Sequence, residues 1–115
     1  MKDLLHSLTT ELKRGTLTLA VLSQLDEPQY GYSLVQNLEQ SGIEIEQSTL
    51  YPLLRRLEKQ ELVTSSWDTT ESRPRKYYQL SEYGKKIFAA LKEEWAKMST
   101  EMNLLLEGGN NNGMD

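Results

Sequence analysis

Apolar residues recur along the first quarter of the chain at helical spacing. Leu5, Leu8, Leu12, Leu19 and Leu22 fall on one stripe of three- and four-residue steps, with Gly15 where the missing member would sit. Leu17, Val21 and Leu25 form a second stripe. Two apolar stripes predict a helix over about Leu5 to Leu25 that touches two partners. Gly15 costs about 1 kcal/mol relative to Ala in a helix interior. It marks either the close approach of another backbone or a helix that begins only after it. Asp26-Glu27-Pro28 ends the segment, because Pro cannot continue the hydrogen-bond ladder. Tyr30-Gly31-Tyr32 leads into a short helix reaching about Gln40, with Leu34, Val35 and Leu38 inward and Gly42 as a left-handed stop. Ile43-Glu44-Ile45-Glu46 alternates apolar and acidic residues, as a very short strand or an extended connection would.

A third helix follows, with Leu50, Leu53, Leu54 and Leu57 as its buried stripe and Tyr51, Arg55, Arg56 and Lys59 on other faces. Ser48 or Thr49 is the expected cap, with Pro52 in the first turn, where a missing N–H costs little. The helix fades near Gln60-Glu61. Leu62 to Trp67 and Arg75 to Leu80 are rich in β-branched and aromatic residues and flank the polar stretch Asp68 to Pro74, which reads as a hairpin leaning on the helices. In that hairpin one of Tyr77 and Tyr78 must face away from the core. Ser81 caps a last helix running to about Glu107. Its Phe88, Leu91, Trp95, Met98, Met102 and Leu105 are spaced 3, 4, 3, 4, 3, which is a heptad seam. The fold class is therefore mostly α with a small β hairpin. Three parts are expected: residues 1–80, a helical domain with the hairpin; residues 81–107, a single long helix; and residues 108–115, a disordered tail.

Composition narrows what such a chain can do. At 115 residues it has room for one domain. No Cys and a single His, His6, remove disulfides, thiolate metal sites and any site needing two imidazoles. No metal or cofactor is expected. The adjacent carboxylates Glu93 and Glu94 point apart on a helix, and no nucleophile or phosphate-cradling glycine loop is visible, so the chain does not read as an enzyme. The longest apolar run, Ile87 to Leu91, is far too short for a membrane span, as is Leu19 to Leu22, and the polar start is unlike a signal peptide. A cytoplasmic location is the expectation.

The net charge of −4 argues against a polyanion partner until it is mapped along the chain. Residues 1–47 carry a net −4 and residues 81–115 a net −2, whereas residues 48–80 carry six basic side chains against four acidic ones. The basic segment coincides with the third helix and the hairpin. A short connection between two helices, a third helix with an exposed Arg and Tyr face, and a basic hairpin are how a helix-turn-helix with a wing is written. Arg55, Arg56, Arg73, Arg75 and Lys76 can pair with phosphates, and Arg can also read guanine edges. The candidate DNA contacts are Gln47, Ser48, Thr49, Tyr51, Pro52 and Arg55 on the helix and Arg73, Arg75 and Lys76 on the wing. Against this stands a module that binds only protein, which the acidic balance favours.

The motifs Arg14-Gly15-Thr16-Leu17, Tyr30-Gly31-Tyr32, Ser48-Thr49-Leu50-Tyr51-Pro52, Arg56-Leu57-Glu58-Lys59, Arg73-Pro74-Arg75-Lys76-Tyr77-Tyr78-Gln79-Leu80 and Ser81-Glu82-Tyr83-Gly84 occur in order. Over about residues 12 to 105 the chain resembles the PadR family of transcriptional regulators, in its short class with one C-terminal helix. The resemblance implies a winged-helix repressor that binds double-stranded DNA at a palindromic promoter site as a homodimer. Two positions depart from the family pattern. Glu61 stands where Gly is usual after the recognition helix, and Ser72 stands in a wing tip that is often Gly-rich. The heptad seam by itself asks for a partner. The expected dimer interface joins Leu5, Leu8 and Leu12 to Phe88, Leu91, Trp95, Met98, Met102 and Leu105. Leu91, Trp95 and Met98 are also candidates to hold a small planar aromatic effector, with ordinary dimer core as the competing role.

Overall fold

In the computed structural model, which describes residues 1–108, four helices surround one small antiparallel sheet: α1 (Lys2–Ser23), β1 (Gln29–Tyr30), α2 (Gly31–Gln40), α3 (Gln47–Lys59), β2 (Val63–Asp68), β3 (Arg75–Leu80) and α4 (Glu82–Leu106). Apart from Gly108, the expected tail lies outside the described residues. The helix-turn-helix, the hairpin and the long last helix are all present. Ile43 to Glu46 is a connection without strand pairing. The sheet has three strands, not two, in the order β1-β3-β2. β1 pairs Gln29 with Tyr78 and Tyr30 with Tyr77. Two residues are too few for alternation to reveal, so the pattern along the chain did not announce this strand.

The core forms where the α1, α2 and α3 stripes meet the inner face of the sheet. Val21, Leu22, Leu25, Leu34, Leu38, Leu50, Leu54, Leu57, Val63, Tyr78 and Leu80 are all buried there. Tyr78 is the inward member of the tyrosine pair. Beyond this core the molecule is elongated, 67 × 36 × 23 Å. α1 continues through Gly15, which rules out a helix start after it, and among the described residues a Cβ at Gly15 would meet nothing beyond its own turn of helix. The N-terminal half of α1 leaves Leu5, Leu8 and Leu12 exposed. α4 packs on the core through Phe88, and from Ala89 to its end every residue but Ser99 is exposed.

Local chemistry sets the helix ends. Both α2 and α3 close with paired backbone bonds. Ile43 N–H reaches Leu38 O (2.8 Å) with Gly42 N–H on Glu39 O (2.9 Å), and Leu62 N–H reaches Leu57 O (3.0 Å) with Glu61 N–H on Glu58 O (2.9 Å). This motif requires a left-handed residue at its centre. Gly42 supplies it at φ 89°, and after α3 it falls on Glu61 at φ 64°. The chain thus leaves α3 by a glycine's route although Glu61 stands at that position. Glu61→Gly is expected to raise stability by about 0.5–1 kcal/mol, relief of the left-handed strain outweighing the added freedom of the unfolded chain. Urea unfolding measures this, and a destabilised variant would contradict it.

Two expectations for α3 need correction. The helix begins at Gln47 with Glu46 as its cap, so Ser48 and Thr49 lie inside it and neither caps it; Ser48 Oγ instead donates to Glu46 Oε1 at 3.4 Å. Pro52 is therefore the sixth helical residue, past the first turn. Its missing N–H leaves the Ser48 carbonyl without its intrahelical partner. α4 behaves as read: Ser81 Oγ accepts from Gly84 N–H at 2.8 Å.

Candidate nucleic-acid interface

Helical geometry sorts α3 into faces. Each residue turns about 100°, so burying Leu50, Leu53, Leu54 and Leu57 puts Ser48, Pro52, Arg55 and Lys59 on the opposite ridge, and all four are exposed. Thr49 and Arg56 flank the ridge toward α1, where Arg56 Nη2 donates to Thr18 Oγ1 at 3.3 Å. Tyr51 and Glu58 flank it toward the sheet. Gln47 and Thr49 are exposed at the start of the helix. Tyr51 differs from the other candidates on α3. It is half-buried, and its hydroxyl occupies the space a Cβ at Gly31 would need. The glycine of Tyr30-Gly31-Tyr32 thus lets α2 start against the Tyr51 ring. Tyr78 lies behind this layer, its hydroxyl pKa raised by burial and further by Tyr51 and Glu58.

The wing is tied to α3 by Glu58 of the Arg56-Leu57-Glu58-Lys59 motif. Glu58 accepts from Ser65 Oγ at 2.5 Å and pairs with Lys76 at 4.0 Å. Lys76 Nζ also lies 5.9 Å from the Trp67 ring and 5.6 Å from the Tyr78 ring. Its charge is held at the junction of the wing and α3. Arg75 is held on the outer face of the sheet, its guanidinium 3.8 Å from the Tyr30 ring centre. Tyr30 also meets Tyr77 edge-to-face at 6.0 Å and donates its hydroxyl to Asp68 Oδ2 at 2.5 Å. Arg73 is exposed in the connecting loop. The structure therefore brings Ser48, Pro52 and Arg55 onto one surface, with Lys76 and Arg75 beside it on two faces of the wing. Tyr30 is the residue that reading the chain missed. Its only signal was its place in the Tyr30-Gly31-Tyr32 motif.

Asp68 organises the base of the wing loop. Besides the Tyr30 hydroxyl it accepts from Thr70 Oγ1 (2.7 Å) and Thr70 N–H (3.0 Å). These bonds, with Arg75 nearby, hold its carboxyl at about 2, below its ordinary 3.8. The same bond raises the Tyr30 hydroxyl pKa. A depressed folded-state value means the carboxylate stabilises the fold above its ordinary pKa and loses that contribution as pH falls toward about 2. Asp68→Asn should therefore be less stable than the parent near neutral pH, with the gap closing as pH drops through this window. Urea titrations at several pH values follow it, and a gap independent of pH would contradict the assignment.

The seam residues stand apart from this surface. Leu91, Trp95, Met98, Met102 and Leu105 are 37%, 46%, 56%, 52% and 75% exposed, a continuous apolar row along α4. Among the described residues no group of three His, Cys, Asp or Glu side chains is placed to hold a metal, and no helix is long and apolar enough to cross a membrane.

Comparison with known proteins bears on the whole arrangement. The model of the "Transcriptional regulator PadR-like family" matches residues 18–90. A PadR family transcriptional regulator from Eggerthella lenta has a solved structure that is 47% identical, with a TM-score of 0.86 over 92% of this chain and 95% of that one. A PadR-like transcriptional regulator from Bacillus cereus is 30% identical, with a TM-score of 0.77 over 85% and 98%. A transcriptional regulator of Mycobacterium tuberculosis is 33% identical over 73% of this chain and 77% of its own length.

Proposed function

The chain belongs to the PadR-like family of transcriptional regulators, which are not enzymes, and from that premise we propose that it is a homodimeric repressor binding a palindromic promoter site. The observation that carries the reading is the ridge Ser48-Pro52-Arg55-Lys59, exposed on α3 beside a wing bearing Arg73, Arg75 and Lys76. An α-helix fits the major groove, and its exposed side chains meet base edges while flanking cations meet phosphates. Gln47, Ser48, Thr49, Pro52 and Arg55 are the proposed helix contacts. Tyr51 contributes its ring edge and the support of α2.

The dimer reading rests on the apolar row of α4 together with the exposed Leu5, Leu8 and Leu12 of α1, which a second copy would cover. A two-fold pair would set its recognition helices about 34 Å apart, one turn of DNA. An effector is proposed at the same interface, where Trp95 offers a flat ring between Leu91 and Met98 and planar aromatic compounds fit. Sequencing fragments selected by the purified chain from random DNA tests the operator. Two inverted half-sites about 10 base pairs apart are expected, and recovery of unselected sequence would overturn it. On the recovered site, Arg75→Ala and Lys76→Ala should each weaken binding to all sequences and flatten the salt slope by about one unit. Unchanged slopes would remove the wing from the interface.

A further inference from the structure

Arg14 opens a motif that the recognition helix and wing leave unused. It lines a groove of about 250 Å³ between α1 and α3, together with Leu17, Thr18, Thr49, Pro52 and Arg56. Both guanidiniums are exposed, and among the described residues neither forms a salt bridge with a carboxylate. Two unpaired cations facing one groove repel each other until an anion enters between them. The site is also partly ordered. Arg56 is held by its bond to Thr18 Oγ1 at 3.3 Å, which uses one of its five N–H donors and leaves the others for a ligand. Thr49 places a hydroxyl on the same wall.

Position decides which anion. Thr49 and Arg56 are the α1-side flank of the ridge that carries Ser48, Pro52 and Arg55, and Pro52 belongs to both ridge and groove. A helix lying in the major groove has a sugar–phosphate strand on each side. On the other flank of α3 Lys76 of the wing meets Glu58, with Arg75 next to it in the strand on the outer face of the sheet.

We propose that the Arg14–Arg56 groove is a second phosphate-binding site, which clasps a DNA backbone phosphodiester on the α1 side of the recognition helix and so fixes the helix from the edge opposite the wing. The proposal rests on the DNA-binding reading above and adds α1 to the interface. It also gives the RGTL segment a task that its helical stripe does not require.

Ethylation interference on the selected operator tests it, with wild-type chain, Arg14→Ala, Arg56→Ala and Arg75→Ala compared across a salt series. Arg14→Ala and Arg56→Ala should each lose the same one or two phosphates per half-site, weaken binding about three- to tenfold and lower the salt slope by about one. Arg75→Ala should lose different phosphates. Arg14→Lys should keep the phosphate and part of the affinity, since it keeps the charge but not the fork. Unchanged interference and slope in both Ala variants would overturn the proposal. So would a weaker Arg56→Ala whose thermal midpoint falls while its phosphate pattern stays intact. Millimolar inorganic phosphate that stabilises the parent and not Arg14→Ala, with the DNA pattern unchanged, would make the groove a free-anion site and reject the backbone assignment. If the wild-type chain binds no DNA while the other arms are sound, the proposed function itself fails.

Discussion

Gly84→Ala is expected to destabilise the chain by about 3 kcal/mol, a large share of the 5–15 kcal/mol typical of a domain. A Cβ at Gly84 would stand well inside contact distance of the Leu62 carbonyl oxygen and carbon. That carbonyl cannot retreat cheaply. It accepts from Ser81 N–H at 3.0 Å, and the Leu62 N–H closes α3 on Leu57 O at 3.0 Å. Ser81 in turn caps α4 through the Gly84 N–H. One added methyl must therefore open the junction where α3, the wing and α4 meet, and overpacking against backbone has no rotamer to absorb it. The loss should appear as a lower urea midpoint with unchanged slope. A change under about 0.5 kcal/mol would mean that the junction is looser than the three hydrogen bonds imply.

Leu91→Glu is expected to convert dimers to monomers and to cut operator affinity by at least about a hundredfold. Leu91 is the least exposed member of the apolar row on α4 beyond Phe88, at 37%, and faces outward from the core. A carboxylate there would be buried without a partner in the interface, at a cost of several kcal/mol per copy. Each half-site alone then binds without the gain from linking two modules, which commonly reaches 10² to 10⁴. The helix itself should survive, because Glu is a good helix former and the site touches little of the chain's own core. Sedimentation at micromolar concentration decides the matter. A variant that remains a dimer would move the interface away from this row.

Much of this molecule is legible along the chain because its elements obey single periods. The α3 stripe, the heptad row of α4 and the two hairpin strands each repeat long enough to be read, and Gly42 stops α2 as its position suggests. The reading fails where one residue's role depends on a distant one. Ser48 and Thr49 look like caps because their chemistry suits the task, yet Glu46 starts the helix and shifts Pro52 beyond its first turn. Tyr51 looks like an exposed contact until Gly31 is seen beneath it. β1 exists only because β3 offers Tyr77 and Tyr78 as partners. Glu58 shows no task along the chain until folding brings Ser65 and Lys76 to it. The candidate site follows the same rule. Its cations in residues 48–80 were visible in the charge map, but Arg14 was hidden in an acidic segment, and their division between an outer ridge, a wing junction and the α1 groove needed three dimensions.

The most direct test of the DNA-binding account is the salt dependence of binding by the purified chain to the fragment it selects, measured by gel shift from about 50 to 200 mM salt. Counterion release predicts a straight fall of log affinity with log salt, with a slope near −0.9 for every phosphate contacted. Cations on both flanks of α3 in each subunit of the proposed dimer predict a steep fall despite the chain's net charge of −4. No measurable affinity at the lowest salt, or affinity that does not change with salt, would contradict it and leave a winged-helix fold that recognises something other than DNA.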